Sequence, residues 1–494
     1  MRRTPDVALV PQDTRALIAV DLGAESCRVS LLQWVAGRPV VTLVHRFPNA
    51  PRATDGGLRW DLSMIEAGLE HGLRLCAEIA VEGVRSIAVD GWAVDYVRLD
   101  AEGHALADPF CYRDERTIEA ERMLHAEITP ERLRECTGVQ LLRINTLYQL
   151  YADRLQRSTE GEQWMNLPEY ILSRWGGARV AEFTNATHSQ MVDLSRRQWC
   201  EEVFQAAELN IALAPRLVPP GTEVGRLSGE LAKLTAFRDT LLIAPACHDT
   251  ASAIAGIPAV GDDWAYISSG TWSLVGTVLQ EPRNDAAVAA ENFTNLGAVG
   301  GRVCFHKNVN GMWLIRQCLH QWAMEGREWT VPELVSAAER ATRPEGLLDV
   351  DDADLLLAGG MPRRINAQRM RAGLEALEEG PGNAPAFASL IFHSLAARYA
   401  QVLERVAFHT GNRLKRLFVV GGGSQNDFLN RLTQEATGLE LFRGAPESST
   451  WGNFAVQLAV LEGSRDDVTG ANAERVSQWA GVVAQALDQT APTG

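Results

Sequence analysis

The 494-residue chain carries 62 acidic against 47 basic side chains, a formal net charge of -15. A diffuse negative surface of this kind repels nucleic acid and anionic lipid, so any bound phosphate must be held by local N–H groups. Hydrophobic residues make up 46% and charged residues 22%, the balance of a globular enzyme of two or three domains.

No apolar run reaches the ~18–20 residues of a membrane span, and none after Met1 suits a signal peptide. The eight cysteines form no C-x-x-C pair, so a reduced, cytoplasmic setting is expected. Both tails, about Met1–Thr14 and Asp488–Gly494, are expected to be mobile.

Leu17-Ile18-Ala19-Val20 is a short, partly β-branched apolar run and reads as a buried strand. It meets Asp21-Leu22-Gly23, and Cys27–Leu32 reads as the returning arm of a hairpin. Ser63-Met64-Ile65-Glu66 fits a capping box and predicts a helix starting at Ser63, with Ile65, Leu69, Cys76 and Ile79 on one face. Ser86–Val89 is a strand ending at Asp90-Gly91. Pro215, Pro219 and Pro220 mark an irregular surface stretch, and Leu241–Pro245 reads as a strand leading into a second half.

There Trp264–Ile267, the turn Ser268–Thr271 and Trp272–Val275 form a second hairpin. A long helix follows, with Phe387, Ile391, Leu395, Tyr399, Val402 and Val406 on one face, Pro385 near its start and Gly411 past its end. Leu417–Val420 is a strand running into Gly421-Gly422-Gly423. Each half thus holds a glycine hairpin and, later, a strand running into glycine, a repeat too long for a solenoid. The pattern predicts two related α/β domains facing each other, 1–244 and 245–480, with 481–494 as a C-terminal tail.

Four segments carry candidate chemistry. A tight loop such as Asp21–Arg28 can turn several N–H groups toward one anion, and Asp21 at the strand end suits Mg²⁺ held through water. The same residues also suit an ordinary polar hairpin. Tyr266–Ser273 repeats the device with hydroxyls beside the glycine, and two facing hairpins can clamp a triphosphate. Val420–Asn426 sets three glycines between strand and helix, which permits close approach of a flat ligand such as adenine. Asn426 stands where G-x-G-x-x-G needs its last glycine, which disfavours a nicotinamide-dinucleotide site. No G-x-x-x-x-G-K-[ST] occurs either.

The fourth segment is Ala246-Cys247-His248-Asp249-Thr250-Ala251-Ser252-Ala253. A carboxylate between a strand end and a small-residue helix sits where α/β folds place active sites. Asp249 can take the proton of a hydroxyl that attacks a γ-phosphate. Equally, Asp249 or Thr250 can cap the helix, and His248 reads as a hydrogen-bonded structural residue. The absence of G-x-S-x-G and H-E-x-x-H leaves hydrolase and zinc-protease readings without support.

In this order and at these distances, the four segments resemble those of the FGGY carbohydrate kinases. Tyr112–Thr117, Asn145–Leu150, Phe183–Thr187, Cys247–Thr250, Ser268–Leu274 and Lys307-Asn308 are similar to the branch of that family that phosphorylates L-rhamnulose. The resemblance runs from about Leu17 to about Leu461. It implies two actin-like (ribonuclease-H-like) domains around an ATP and sugar cleft. It also implies ATP and Mg²⁺ as cofactors and transfer of a phosphoryl group to the 1-hydroxyl of a ketose. Nucleic acid and membranes are not expected as partners.

Residue by residue, the resemblance implies Asp249 as general base, with His248, Thr250, Asn308 and Ala93 at the sugar. It implies Ala24, Glu25, Ser26, Cys27, Arg28 and Thr271 at the phosphates, Gly422 and Gly423 at the adenosine, and Arg316 at a further ATP position. Glu25, Cys27, Ala93 and Arg316 depart from the family's pattern, which has serine, glycine, glycine and an uncharged amide there. Kinases for L-fuculose, L-ribulose or D-xylulose, and a non-catalytic actin-like nucleotide-binding module, are the alternatives.

Overall fold

The computed structural model describes residues 9–156, 162–445, 447–463, 465–466 and 468–486. Of the two tails expected to be mobile, residues 1–8 and 488–494 lie outside the described residues. The chain gathers into two units: Met1–Val260 with Leu279–Cys304 and Ser448–Gly494, and Gly261–Val278 with Phe305–Glu447. Each carries a mixed β-sheet with helices.

In the first unit the sheet strands are β1 (Ala16–Leu22), β2 (Ser26–Val35), β3 (Arg38–Pro48), β4 (Val84–Gly91), β5 (Thr222–Arg226) and β6 (Leu241–Ala244). Their order is β5-β6-β4-β1-β2-β3. β1 pairs antiparallel with β2 and parallel with β4, which pairs parallel with β6. Every residue of β1 is buried, as expected of a strand covered on both faces.

Side chains alternate along that strand and divide the core. Ile18, Val20 and Leu22 pack with Leu69, Leu73 and Cys76 of the helix Leu62–Ile79. Leu17 and Ala19 pack instead with Phe454 and Leu458 of the helix Ser448–Leu461. A helix from near the chain's end therefore covers the first sheet. For that reason the units are discontinuous and differ from the contiguous blocks 1–244 and 245–480. The last helix, Ala473–Ala484, also runs across the boundary drawn before residue 481.

Three local expectations need correction. The helix begins at Leu62 with Asp61 as its cap, whose carboxylate accepts the Met64 N–H at 3.0 Å. Such a contact contributes about 1 kcal/mol. Ser63 lies inside the helix and its hydroxyl donates to Asp61. Ile65, Leu69 and Cys76 are buried as their spacing predicts, but Ile79, the helix's last residue, is exposed. Pro215 and Pro220 are buried, and between them Arg216–Val218 pairs parallel with Val180–Glu182.

The second unit holds β7 (Trp264–Ser269), β8 (Trp272–Leu279), β9 (Val303–Asn310), β10 (Arg416–Val420) and β11 (Glu440–Arg443), in the order β9-β8-β7-β10-β11. β7 pairs antiparallel with β8 and parallel with β10, repeating the relation of β1 to β2 and β4. The long helix is Ala384–Thr410, all six residues of its expected face are buried, and Gly411 closes it at φ 74°. No helix among the described residues is long and apolar enough to cross a membrane.

Candidate active site

The carboxyl ends of β1 and β4 lie side by side in the first unit, with Asp21 opposite Asp90. The Gly91 N–H donates to the Cys247 carbonyl at 2.9 Å, bringing the segment after β6 to the same edge. Asp249 then opens the helix Asp249–Ala255, whose N-cap is His248. Neither Asp249 nor Thr250 is the cap. The helix is built of small residues and lies against Ser448–Leu461. A Cβ at Gly452 would collide with the Ser252 carbonyl, so the two helices touch backbone to backbone.

Three carboxylates meet at this edge. Asp21 Oδ2 accepts from Ser449 Oγ at 2.6 Å and lies 3.4 Å from Arg28 Nη1. Asp90 Oδ2 accepts from Asn453 Nδ2 at 2.6 Å and Ser252 Oγ at 3.3 Å, while its buried Oδ1 has no hydrogen-bond partner among the described residues. Burial and then the negative charge of Asp21 raise the Asp90 carboxyl well above its usual range. Asp249 keeps 35% of its side chain exposed. Its desolvated setting and the charge of Asp21 push it up to about 7, against the Thr250 hydrogen bonds and Arg28, which lower it.

Behind Asp249 runs a chain of imidazoles. Asp249 Oδ1 is 3.3 Å from His248 Nε2, and His248 Nδ1 is 3.0 Å from His188 Nε2. Below them Glu182 accepts the Cys247 N–H at 2.8 Å and the Thr184 N–H at 2.9 Å, and burial pushes its carboxyl up to about 8. No group of three or more His, Cys, Asp or Glu side chains among the described residues is placed to hold a metal ion. A divalent cation that keeps its waters would suit an edge where three carboxylates meet.

In the first hairpin Ala24 and Ser26 are half-buried, Glu25 is exposed, and Ser26 Oγ accepts from Arg46 Nε at 3.2 Å. Cys27 is turned into the core, with burial pushing its thiol up to about 12. Ala93 is buried, next to Val94 at φ 72°, a conformation rare for a β-branched residue and costly without outside support. The support comes from Thr146 Oγ1 at 2.8 Å and Gln149 Nε2 at 3.3 Å, both donating to the Val94 carbonyl. Beside it the buried Asp95 accepts from Trp60 Nε1 at 2.6 Å and Trp92 Nε1 at 3.0 Å. Burial pushes Asp95 up to about 6.

The second unit brings the other hairpin and the glycine loop together. Gly421 has φ 81°, and a Cβ at Gly423 would collide with the side chain of Ser269 at the end of β7. At Gly422 a Cβ would meet nothing within 4 Å, so that peptide faces open space. The Thr271 carbonyl accepts the Trp313 N–H at 3.1 Å, seating the helix Trp313–Met324 against the turn. Arg316 is exposed on that helix, and Asn308 is half-buried on β9.

Asp90, Asp95 and His188 were not singled out from the sequence. The signal for Asp90 was a second strand ending in aspartate, as β1 does. Asp95 and His188 each lie close to a quoted motif but carried no local sign of their contacts.

Comparison with known proteins agrees with this architecture. The N-terminal domain profile of the FGGY family of carbohydrate kinases matches residues 16–256, and the C-terminal domain profile matches 265–461. A rhamnulokinase of Enterococcus faecalis is 34% identical over 462 residues, covering 93% of this chain and 92% of that protein. A rhamnulokinase of Bacteroides thetaiotaomicron is 34% identical over 457 residues, 92% of each chain. Among solved structures, a xylulose kinase from Lactobacillus acidophilus superposes with a TM-score of 0.71 at 14% identity, covering 96% of this chain and 97% of its own. Plasmodium falciparum glycerol kinase with ADP gives 0.71 at 13% identity, covering 97% and 99%. The likeness extends to the actin-like fold of such kinases.

Proposed function

Because the chain belongs to the FGGY family of carbohydrate kinases, we propose that it transfers the γ-phosphoryl group of ATP to the 1-hydroxyl of L-rhamnulose, releasing ADP and L-rhamnulose 1-phosphate in the cytoplasm. The observation that carries this reading is Asp249, a carboxylate at a strand-to-helix junction, partly open to solvent and poised at about 7. A general base works best with a pKa near the working pH. The choice of ketose is supported by the identity to the rhamnulokinases.

Asp249 orients the 1-hydroxyl and takes its proton as the oxygen attacks phosphorus. His248, Thr250, Ala93 and Asn308 hold the sugar. Ala24, Glu25, Ser26, Cys27, Arg28 and Thr271 hold the phosphates, Cys27 through its backbone because its thiol is in the core. Gly422 and Gly423 take the adenosine and Arg316 a further ATP contact. The transition state of phosphoryl transfer is loose, so positioning and electrostatics do most of the catalysis. Bound Mg²⁺, held by Asp21 through water, would supply charge compensation for the phosphates.

A coupled ADP-release assay over L-rhamnulose, L-fuculose, L-ribulose and D-xylulose tests the proposal. L-rhamnulose is expected to give the highest kcat/KM. A clear preference for another ketose replaces the substrate, and ATP turnover indifferent to every sugar removes the kinase reading in favour of a nucleotide-binding module.

A further inference from the structure

We infer that His188 is a positioning residue for phosphoryl transfer: it fixes the tautomer and ring orientation of His248, and through His248 the hydrogen bonding of Asp249. The inference rests on the reading of Asp249 as the base. Its geometry is a run of three groups with two contacts, 3.0 Å between His188 Nε2 and His248 Nδ1 and 3.3 Å between His248 Nε2 and Asp249 Oδ1. The two imidazole centroids are 3.9 Å apart with the planes tilted by 53°, so the rings also restrain each other by contact.

Counting protons gives the direction. A neutral imidazole has one N–H and one bare nitrogen, and the partner of one nitrogen decides which bears the proton. An ionised Asp249 accepts only, so a neutral His248 facing it carries its proton on Nε2. Its Nδ1 is then bare and must accept, so His188 carries its proton on Nε2. Burial, and then the neighbouring His248, hold the His188 pKa well below its usual value, which keeps that ring neutral. Without His188, the Nδ1 side no longer holds the ring, and the other tautomer, which presents a bare Nε2 lone pair to Asp249, gains population.

The ordered tautomer adds an N–H to Asp249 Oδ1, which also accepts from the Thr250 hydroxyl at 3.1 Å. It also favours the ionised form, since a donor to a carboxylate stabilises its charge. The charged and titratable groups packed around this run are Asp21 and Arg28, which act on Asp249, Asp90, whose carboxyl is raised in part by Asp249, and Glu182, which binds the Cys247 N–H and the Thr184 hydroxyl. Glu169 stands behind Glu182, accepting its N–H at 3.0 Å.

The test compares wild type with His188→Ala, His188→Gln and Asp249→Asn, using nitrogen-15 histidine spectra of the full chain and steady-state kinetics. Wild type is expected to show His248 protonated at Nε2, and His188→Ala a mixture of tautomers. In His188→Ala, kcat should fall on the order of tenfold, with a smaller change in KM, and the acidic limb of kcat should move to higher pH. His188→Gln, whose amide N–H can donate to Nδ1, should restore most of both.

A wild-type His248 protonated at Nδ1 overturns the inference. So does an acidic limb that stays in place in both His188 variants. If Asp249→Asn turns over normally, the base reading fails, and the spectra still decide the role of His188 in the tautomer. If Asp249→Asn is inactive while the His248 tautomer ignores His188, the inference fails alone.

Discussion

Asp21 and Asp90 stand opposite each other on neighbouring parallel strands, yet they solve the problem of adjacent negative charge differently. Asp21 meets Arg28 and the Ser449 hydroxyl. Asp90 is fully enclosed and is driven toward its neutral form by burial and by Asp21. Asp21 is thus held by an ion pair and a hydroxyl beside the first hairpin, while Asp90 serves as a hydrogen-bonding group for Asn453 and Ser252.

The two positions should respond differently to the same substitution. Asp90→Asn replaces a neutral acid by a neutral amide of similar shape, and is expected to keep the fold and leave kcat within a few-fold. Asp21→Asn removes the charge proposed to hold Mg²⁺ through water, so the Mg²⁺ concentration for half-maximal rate should rise severalfold and kcat should fall. Rate against Mg²⁺ concentration for both variants checks this, and equal Mg²⁺ dependence would deny Asp21 the role.

Asp249 should impose a pH dependence of known sign. The base must be ionised, and its carboxyl is pushed up to about 7. Below that value the active fraction falls about tenfold per pH unit, so kcat/KM for the sugar should climb through about pH 7 and level off above it. Asp249→Asn should lower kcat by about 10²-fold or more, with ATP binding by calorimetry and Tm retained. Near-normal turnover in that variant would remove Asp249 from catalysis.

The parts of this site that were legible in the sequence are those encoded by neighbours along the chain. Both hairpins, the glycine loop and the Cys-His-Asp-Thr turn are each encoded within a few residues, and each takes the backbone form its local pattern indicates. The helix start was misread by local competition, because Asp61 precedes Ser63 and its carboxylate reaches the Met64 N–H first. What depends on distant pairing was not visible. His188 and His248 are separated by 60 residues, and nothing in either segment announces the contact. The helix Ser448–Leu461 returns to the first sheet from far along the chain, and no composition change marks the passage.

The glycine loop offers a contrast between adjacent residues. Gly422 faces open space, whereas a methyl at Gly423 would strike Ser269. Gly422→Ala is therefore expected to leave Tm nearly unchanged but raise KM for ATP, because the added methyl lies where adenosine is proposed to bind. Gly423→Ala should lower Tm by several degrees, in line with the about 1–3 kcal/mol of an overpacked site. Adding Ser269→Gly, which removes the struck side chain, should recover part of that loss. Thermal melts and ATP titrations of the three proteins distinguish the two effects, and equal Tm for both single variants would refute the packing difference.

Glu182 should make the protein less stable as the solution becomes more alkaline. In the unfolded chain its carboxyl titrates near its ordinary 4.5, and in the folded protein burial pushes it up to about 8. Between these values the unfolded chain has lost a proton that the folded protein still holds, so stability falls as pH rises. The contribution is complete below 4.5 and is gone once the pH has passed about 8. Glu169, pushed up to about 7 by burial, adds the same sign over a narrower range. His188 acts in the opposite sense, but only below its ordinary 6.5, so the interval from about pH 7 to about pH 8.5 isolates the carboxyls. Glu182→Gln keeps the volume and cannot ionise. Its Tm should start lower, because one amide cannot accept from both the Cys247 and Thr184 N–H groups as the carboxyl does. It should then fall less steeply across that interval than the wild-type Tm. Calorimetric scans of both proteins in matched buffers measure the two slopes, and equal slopes would mean that Glu182 is not the group retaining the proton.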